Sequence, residues 1–135
     1  MIPSTVALQR AVFLTLANNQ ALTALLGGPR LYDDTPQPVV FPYITFGQST
    51  LRDASTSTDP GDEHILTLHV WSRTHGRKEA QAIIDVIRTS LHDQPLVLTG
   101  HHLVNLRHEY SDCRRDPDGE TTHGTVRLRA MTEPA

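Results

Sequence analysis

The chain has 135 residues, of which 38% are hydrophobic and 20% charged, a composition typical of one globular domain and not of a disordered or fibrous chain. Its net charge of −3 comes from twelve basic residues scattered among fifteen acidic ones, so no stripe for duplex nucleic acid is expected. A single cysteine excludes an intramolecular disulfide framework and a multi-cysteine zinc site. Without a basic leader or an apolar run of about 18 residues, neither export nor a membrane span is expected.

Two helices are predicted at the start of the chain. Ser4 or Thr5 is a suitable N-cap for a helix that continues to about residue 18. A shorter helix over residues 21–26 ends at Gly27-Gly28-Pro29, a strong helix breaker. The first helix is apolar around most of its circumference, so it is expected either to be central in its own domain or to pack partly against a neighbouring molecule.

Three strands are predicted next: a short one before a proline-rich turn, and longer ones over residues 43–50 and 64–73. The intervening residues 52–62, "RDASTSTDPGD", are small and polar, so we expect a mobile hairpin tip that a partner orders. In the third strand Leu66, Leu68 and Val70 alternate with residues that include Trp71. Apolar groups on both faces predict a central strand covered on both sides. Trp71 is expected in the core, and a role as an anchor for a partner is the alternative.

The remaining chain reads as a helix followed by a long hairpin. A helix beginning at residue 77 carries an apolar stripe at spacings of three and four, formed by Ala80, Ile83, Ile84, Ile87 and Leu91. Pro117-Asp118-Gly119 marks the hairpin turn. The predicted order α-α-β-β-β-α-β-β indicates an α+β fold with the helices gathered on one sheet face.

Folding the hairpin about Asp118 predicts its register. Apolar pairs would occupy one face, and charged pairs the other. The apolar-face pairs are Tyr110 with Val126, His108 with Leu128 and Leu106 with Ala130; the charged-face pairs are Glu109 with Arg127 and Arg107 with Arg129.

Signatures of catalysis or metal binding are not found. His64 and His69 point to opposite sheet faces, and no HExxH, GxSxG or phosphate-binding loop is present. Long-range convergence of His69, His108 and Asp85 stays open, but His108 is more typical of a core-edge histidine with a hydrogen-bond partner. The acidic pairs Asp33-Asp34 and Asp116/Asp118 are interpreted as turn residues in preference to calcium ligands or acid/base groups. Cys113 is expected at a solvated strand end, although its arginine neighbours could lower the pKa of its thiol.

Four stretches in order resemble one family: "RLYDDTPQPVVFPYITFG" (residues 30–47), "EHILTLHVWSRTHGRKEAQAI" (63–83), "LVLTGHHLVNLRHEYSDCRRDPDG" (96–119) and "THGTVRLRAMTE" (122–133). They are similar to the tail-completion, or tail-terminator, proteins of long-tailed bacteriophages and gene transfer agents. The resemblance covers nearly the whole chain and implies a mixed, mainly antiparallel sheet with helices on one face. It also implies a non-catalytic structural role without a cofactor.

The resemblance further implies that six copies form a ring on the head-proximal end of the tail tube. The implied partners are other copies of the chain, the tail tube protein and the head connector or stopper, and DNA would pass through the lumen without specific binding. The protein would be assembled in the bacterial cytoplasm and end in the particle tail. From the residues alone, the contact candidates are the apolar first helix and two charged groups: Arg52, Asp53, Asp59 and Asp62 in the loop, and Arg107, Glu109, Arg127 and Arg129 on the hairpin.

Two alternatives stay open at this point. Another head–tail connector or minor tail protein would share the composition. A small metal-dependent hydrolase would need histidines and carboxylates that converge in a pocket.

Overall fold

The computed structural model describes residues 2–135, which form three helices and five strands. In chain order these are α1 (Ser4–Ala17), α2 (Gln20–Leu26), β1 (Leu31–Tyr32), β2 (Tyr43–Asp53), β3 (Asp62–Ser72), α3 (Lys78–Leu91), β4 (His101–Arg115) and β5 (Thr122–Pro134). The order of elements and the α+β class are as predicted.

The sheet is mixed, with the strand order β1-β2-β3-β5-β4. The two-residue β1 runs parallel to β2, and every other neighbouring pair is antiparallel. The two central strands, β3 and β5, pair without interruption from Asp62–Thr132 to Ser72–Thr122. One end of the sheet, the tip end, carries the β2–β3 loop; the other, the turn end, carries the β4–β5 turn.

The two faces of β3 lie in different environments. Leu66, Leu68 and Val70 are buried under the helices. Trp71 and the other β3 residues that point to the opposite face are only half-buried. The prediction that both faces are covered is therefore wrong for the subunit, because all three helices pack on the same side. We call the uncovered side the open face.

Helix α1 has a buried side and an apolar outer side. Leu8, Val12 and Leu16 are buried, but Val6 and Leu14 are about half exposed. Its N-cap is Pro3, which makes no side-chain cap, so the predicted cap at Ser4 or Thr5 is wrong. The backbone of Pro3 is extended, as its ring favours, and Ser4 is already helical. One side of α1 therefore packs in the core of its own domain, and its outer apolar side is available for contact with a neighbouring molecule.

The later helices follow local sequence signals. In α2 the Asn19 carboxamide oxygen accepts from the Leu22 amide at 3.0 Å, and Gly27 ends the helix with φ +83°, a conformation that glycine adopts without steric cost. The predicted stripe of α3 is confirmed, since all five of its apolar residues are buried. They pack on β3, β4 and β5 and form the centre of the core.

The predicted hairpin register is correct from Leu106 to His108 and wrong from Glu109 towards the turn. Leu106–Ala130, Arg107–Arg129 and His108–Leu128 pair as expected, but a bulge at Glu109 places Tyr110 opposite Arg127. The predicted pairs Tyr110–Val126 and Glu109–Arg127 are therefore wrong. A bulge adds one residue to one strand and shifts every pair beyond it, and the alternation of residue types does not reveal where this happens.

Asp118 organises the β4–β5 turn. Its carboxylate accepts from the Glu120 and Thr121 amides at 2.9 and 2.8 Å and from the Thr121 hydroxyl at 2.7 Å. These bonds, those of Thr121 first, lower the pKa of Asp118 to about 2. The predicted turn role is confirmed for this residue.

Candidate interaction surfaces

The β2–β3 tip is shorter than the sequence indicates. Arg52 and Asp53 pair with Glu63 and Asp62 as continuations of the two strands, so only residues 54–61 form the loop. The Ala54 amide donates to the Gly61 carbonyl at 2.9 Å, and the Thr56 amide donates to the Asp59 carbonyl at 2.8 Å. The tip is thus a hairpin closed by backbone hydrogen bonds, with small polar side chains outside.

The carboxylates at the tip have local partners. The Asp53 carboxylate accepts from the Ser55 hydroxyl and amide, and these bonds lower the pKa of Asp53. The Thr58 hydroxyl donates to Asp59 at 3.1 Å. Five acidic residues lie at the tip end together with Arg52: Asp53, Asp59, Asp62, Glu63 and Glu133. This end of the molecule is acidic.

An ion-pair network on the open face joins the two predicted charged groups. Glu63 lies 3.1 Å from Arg52 and 3.5 Å from Arg129, and Arg129 also binds Glu109. The linking residue, Glu63, is not among the predicted contact residues, because it lies just outside the loop predicted for residues 52–62. Extending the hairpin pairing by two residues would have placed Glu63 opposite Arg52.

The other two predicted residues of this face have different neighbours. Arg127 lies over the Tyr110 ring, 5.2 Å from its centroid, and Arg107 is 3.6 Å from Asp93 beside β4. A shallow open basin of about 410 Å³ brings together Gln48, Thr50, Ile65, Thr67, Glu109, Arg127 and Arg129. Arg107 does not line it.

A cluster of aromatic and imidazole rings occupies the open face towards the turn end. Trp71 stacks on His123 with ring centroids 4.1 Å apart, and its indole nitrogen donates to Thr45 at 3.0 Å. His69 Nδ1 and His123 Nε2 are 2.7 Å apart. Burial, the largest cause, lowers the pKa of both imidazoles. Trp71 is therefore a half-buried surface residue, and the sequence prediction that it is core is wrong.

Gly47 accommodates this ring cluster. A Cβ at this position would lie 2.4 Å from His69 Nε2, so the imidazole rests directly on the glycine backbone. The sequence does not reveal the cluster, because its members come from β2, β3 and β5. Only the pairing of the strands brings them together.

The histidines do not form a metal centre in the described part of the chain. No group of three or more His, Cys, Asp or Glu side chains among residues 2–135 is placed to hold a metal ion. The predicted hydrogen-bond partner of His108 is absent, since its Nε2 is buried without one in this range. Burial raises the pKa of the Cys113 thiol, so the arginine neighbours do not activate it. None of the described helices is long and apolar enough to cross a membrane.

The structure superposes with a TM-score of 0.89 on a chain from the virion of a native gene transfer agent particle, which is 28% identical and is matched over 99% of its length and 98% of this chain. The fold is therefore that of a structural protein of phage-like particles.

The family model described as tail completion protein gp17 matches residues 10–133. The tail completion protein gp17 of Bacillus phage SPP1 is 27% identical over 123 residues, which are 91% of this chain and 90% of the relative. The chain belongs to the tail completion protein gp17 family. The resemblance found in the sequence is confirmed, and a structural role in the tail follows from this membership.

Proposed function

We propose that this protein forms a ring that caps the head-proximal end of the tail tube, ends its polymerisation and joins the tail to the head connector. Family membership over residues 10–133 is the observation that carries the proposal. The match to a gene transfer agent virion chain over 98% of the sequence supports a role as a particle component. In this proposal six copies form the ring.

The distribution of surfaces supports a ring subunit. A tube of stacked rings exposes a binding surface at its growing end, because each heterologous interface leaves one copy of itself unsatisfied. A terminator must match that surface on one side and refuse another tube ring on the other. Here the tip end is acidic, whereas at the turn end Arg73 and Arg115 lie beside the Asp118 turn, so the two axial surfaces differ in charge. The two edges of the sheet remain for contacts between copies.

Three of the four predicted contact arginines suit a ring through which DNA passes; the fourth, Arg127, lies over the Tyr110 ring instead of beside a carboxylate. Arg52, Arg107 and Arg129 each lie within 4 Å of a carboxylate. Neutralised arginines contribute little to phosphate binding, which depends on the release of counterions by free basic groups. In the proposed ring these residues therefore do not grip the DNA.

Deleting the gene from the producing cell tests this function. We expect filled heads that lack functional tails, together with tubes of uncontrolled length or tubes that never join heads. Electron microscopy of the particles measures both, and expression of the gene in trans should restore normal tails. Particles of normal tail length and normal infectivity or DNA delivery would contradict the proposal. Normal-length tubes with defects confined to another site would favour a connector or minor tail protein.

The tip provides an independent test. We propose that residues 54–61 exchange rapidly in the free subunit and become protected in the particle. The side chains of all but Ala54 and Gly61 are well exposed, the side-chain hydrogen bonds of the tip are also exposed, and no large apolar side chain anchors the tip, so its hydrogen bonds can open readily. Hydrogen exchange of the free protein and of purified particles measures this. Strong protection of the tip in the free subunit, or equal exchange in both states, would count against the proposal. The central strand β3 serves as the protected control.

A further inference from the structure

A groove on the β1–β2 side combines an apolar floor with two charges. Its lining residues are Val6, Gln9, Arg10, Phe13, Asp33 and Phe46. Phe13 is 36% exposed, and its ring centroid lies 6.5 Å from that of Phe46. Neither Arg10 nor Asp33 has an ion-pair partner among residues 2–135. The subunit thus leaves apolar surface and uncompensated charge uncovered here.

The strand edge beside this groove is also open. The short strand β1 pairs only with Ile44 and Thr45 of β2. From Phe46 to Asp53 the outer edge of β2 has no strand partner within residues 2–135. Exposed edges of this kind are ready to associate with another chain.

The opposite edge of the sheet, formed by β4, carries exposed apolar residues and an ion pair. Val104 lies in the bulge between Leu103 and Asn105 of β4 and is 51% exposed. Val97, in the loop before β4, is 95% exposed. Beside them Arg107 and Asp93 lie 3.6 Å apart with their side chains more than half exposed.

The groove and the β4 surface lie at opposite edges of the sheet in one subunit. In the strand order they are separated by four strand spacings, about 19 Å. Surfaces that differ from each other and face opposite ways generate head-to-tail contacts, which close into a ring when the rotation allows, whereas a two-fold dimer needs one self-complementary surface.

We propose that neighbouring copies of this chain meet side to side, with the β4 edge around Val104 of one copy against the Phe13–Asp33–Phe46 groove of the next. The charges fit this arrangement. Arg107 of one copy would face Asp33 of the next, and Asp93 would face Arg10, so each acid meets a base. The inference rests on the proposed ring, but the contact itself can be tested without a tail.

Paired cysteines test the contact directly. In a Cys113→Ser background, Asp33→Cys and Val104→Cys would be combined, and both purified particles and the concentrated free protein treated with a short bismaleimide. We expect a denaturing gel of the particles to show a ladder of multiples of 15.0 kDa, because each copy then carries both halves of the contact. Each single-cysteine variant should give no ladder. As a matched control, Asp33→Cys with Val40→Cys places both thiols on the β1–β2 side and should give no ladder either.

Three outcomes of this experiment would contradict the inference. Dimers from Asp33→Cys without the second cysteine would show a two-fold contact at the groove. Cross-links from the cysteine introduced at position 33 to a different virion protein would show that this other protein occupies the groove. Absence of a ladder in particles of normal tail length would exclude the contact. If the ladder forms but deletion of the gene leaves tails normal, the interface stands and the proposed function fails.

A charge exchange separates this contact from interactions within one chain. Arg107→Asp would set two acids opposite each other at the interface, and we expect a reduced yield of particles with complete tails. Adding Asp33→Arg should restore that yield, since it restores an opposite-charge pair between copies. Asp33 lies at the other edge of the sheet, so Asp33→Arg cannot replace the lost Arg107–Asp93 ion pair within the same subunit. Failure of the second change to rescue would therefore contradict the proposed pairing.

Discussion

Replacing Leu128 by aspartate is expected to abolish cooperative folding of the subunit. Leu128 is 1% exposed and lies on β5 between Leu66 of β3 and His108 of β4. Burial of a leucine side chain stabilises a protein by about 1.5–3 kcal/mol, and an unpaired buried carboxylate costs several kcal/mol more. The combined loss is comparable to the stability of a typical domain, about 5–15 kcal/mol. Circular dichroism during thermal unfolding measures the effect.

The adjacent residue provides a matched control. Arg127→Asp introduces the same side chain one position earlier, where it points to the open face and is exposed. We expect a change in the free energy of unfolding within about 1 kcal/mol, as for other exposed charges. A soluble Leu128→Asp variant that melts cooperatively like the unchanged protein would show that the inward face of β5 has been assigned incorrectly.

Acidification from pH 7 to pH 5 should destabilise the subunit through its buried histidines. His64 is 0% exposed, with Nε2 2.9 Å from the Thr132 hydroxyl and Nδ1 without a hydrogen-bond partner among residues 2–135. Burial, the largest cause, lowers the pKa of His64, and it does the same for His69, His108 and His123. In the unfolded chain these imidazoles titrate near 6.5.

The sign follows from the protons bound by each state. Between the lowered folded pKa and about 6.5, the unfolded chain binds more protons than the native one, so the free energy of unfolding falls as the pH falls. Each histidine contributes at most about 1.4 kcal/mol per pH unit in this window. The stabilisation is complete above about pH 6.5 and is lost below it. Urea unfolding at pH 7, 6 and 5 measures the slope.

Two variants test whether His64 causes this pH dependence of the free energy of unfolding. His64→Leu removes one buried titrating group and should flatten the dependence, whatever its effect on the stability at pH 7. His75→Leu, at an exposed position in the turn before α3, should leave the slope unchanged. Equal stability of the unchanged protein at pH 7 and pH 5 would contradict the prediction, as would an unaltered slope in His64→Leu.

The elements were predictable because each depends on residues close in sequence. The stripe from Ala80 to Leu91 follows the helical period, so α3 needed no tertiary information. The Asp118 turn and the Gly27 helix end follow from carboxylate hydrogen bonding and from the freedom of glycine at positive φ. The hairpin register was correct from Leu106 to His108 because the alternation of apolar and charged residues fixes which face each residue occupies there, but the same alternation does not reveal the one-residue shift at Glu109.

The interaction surfaces were less predictable because they combine distant segments. Arg129 was identified, but its partner Glu63 comes from another strand, and their 3.5 Å contact needs the pairing of β3 with β5. The bulge at Glu109 redirected the predicted Glu109–Arg127 pair to Glu109–Arg129. Trp71 carries an apolar ring on a central strand, and its own neighbours in sequence do not indicate whether a helix covers it.

The sequence by itself determined the order of the elements, the residues that α3 buries and the family, because periodicity, turn chemistry and ordered similarity are properties of the chain. Only the tertiary structure decided which strand residues the helices cover, and it left Trp71, His123 and the Glu63 network on the open face. It also decided that α1 turns Phe13 outward beside Phe46. These outcomes depend on which layers pack together, a competition among distant apolar surfaces that leaves no periodic trace in any one segment.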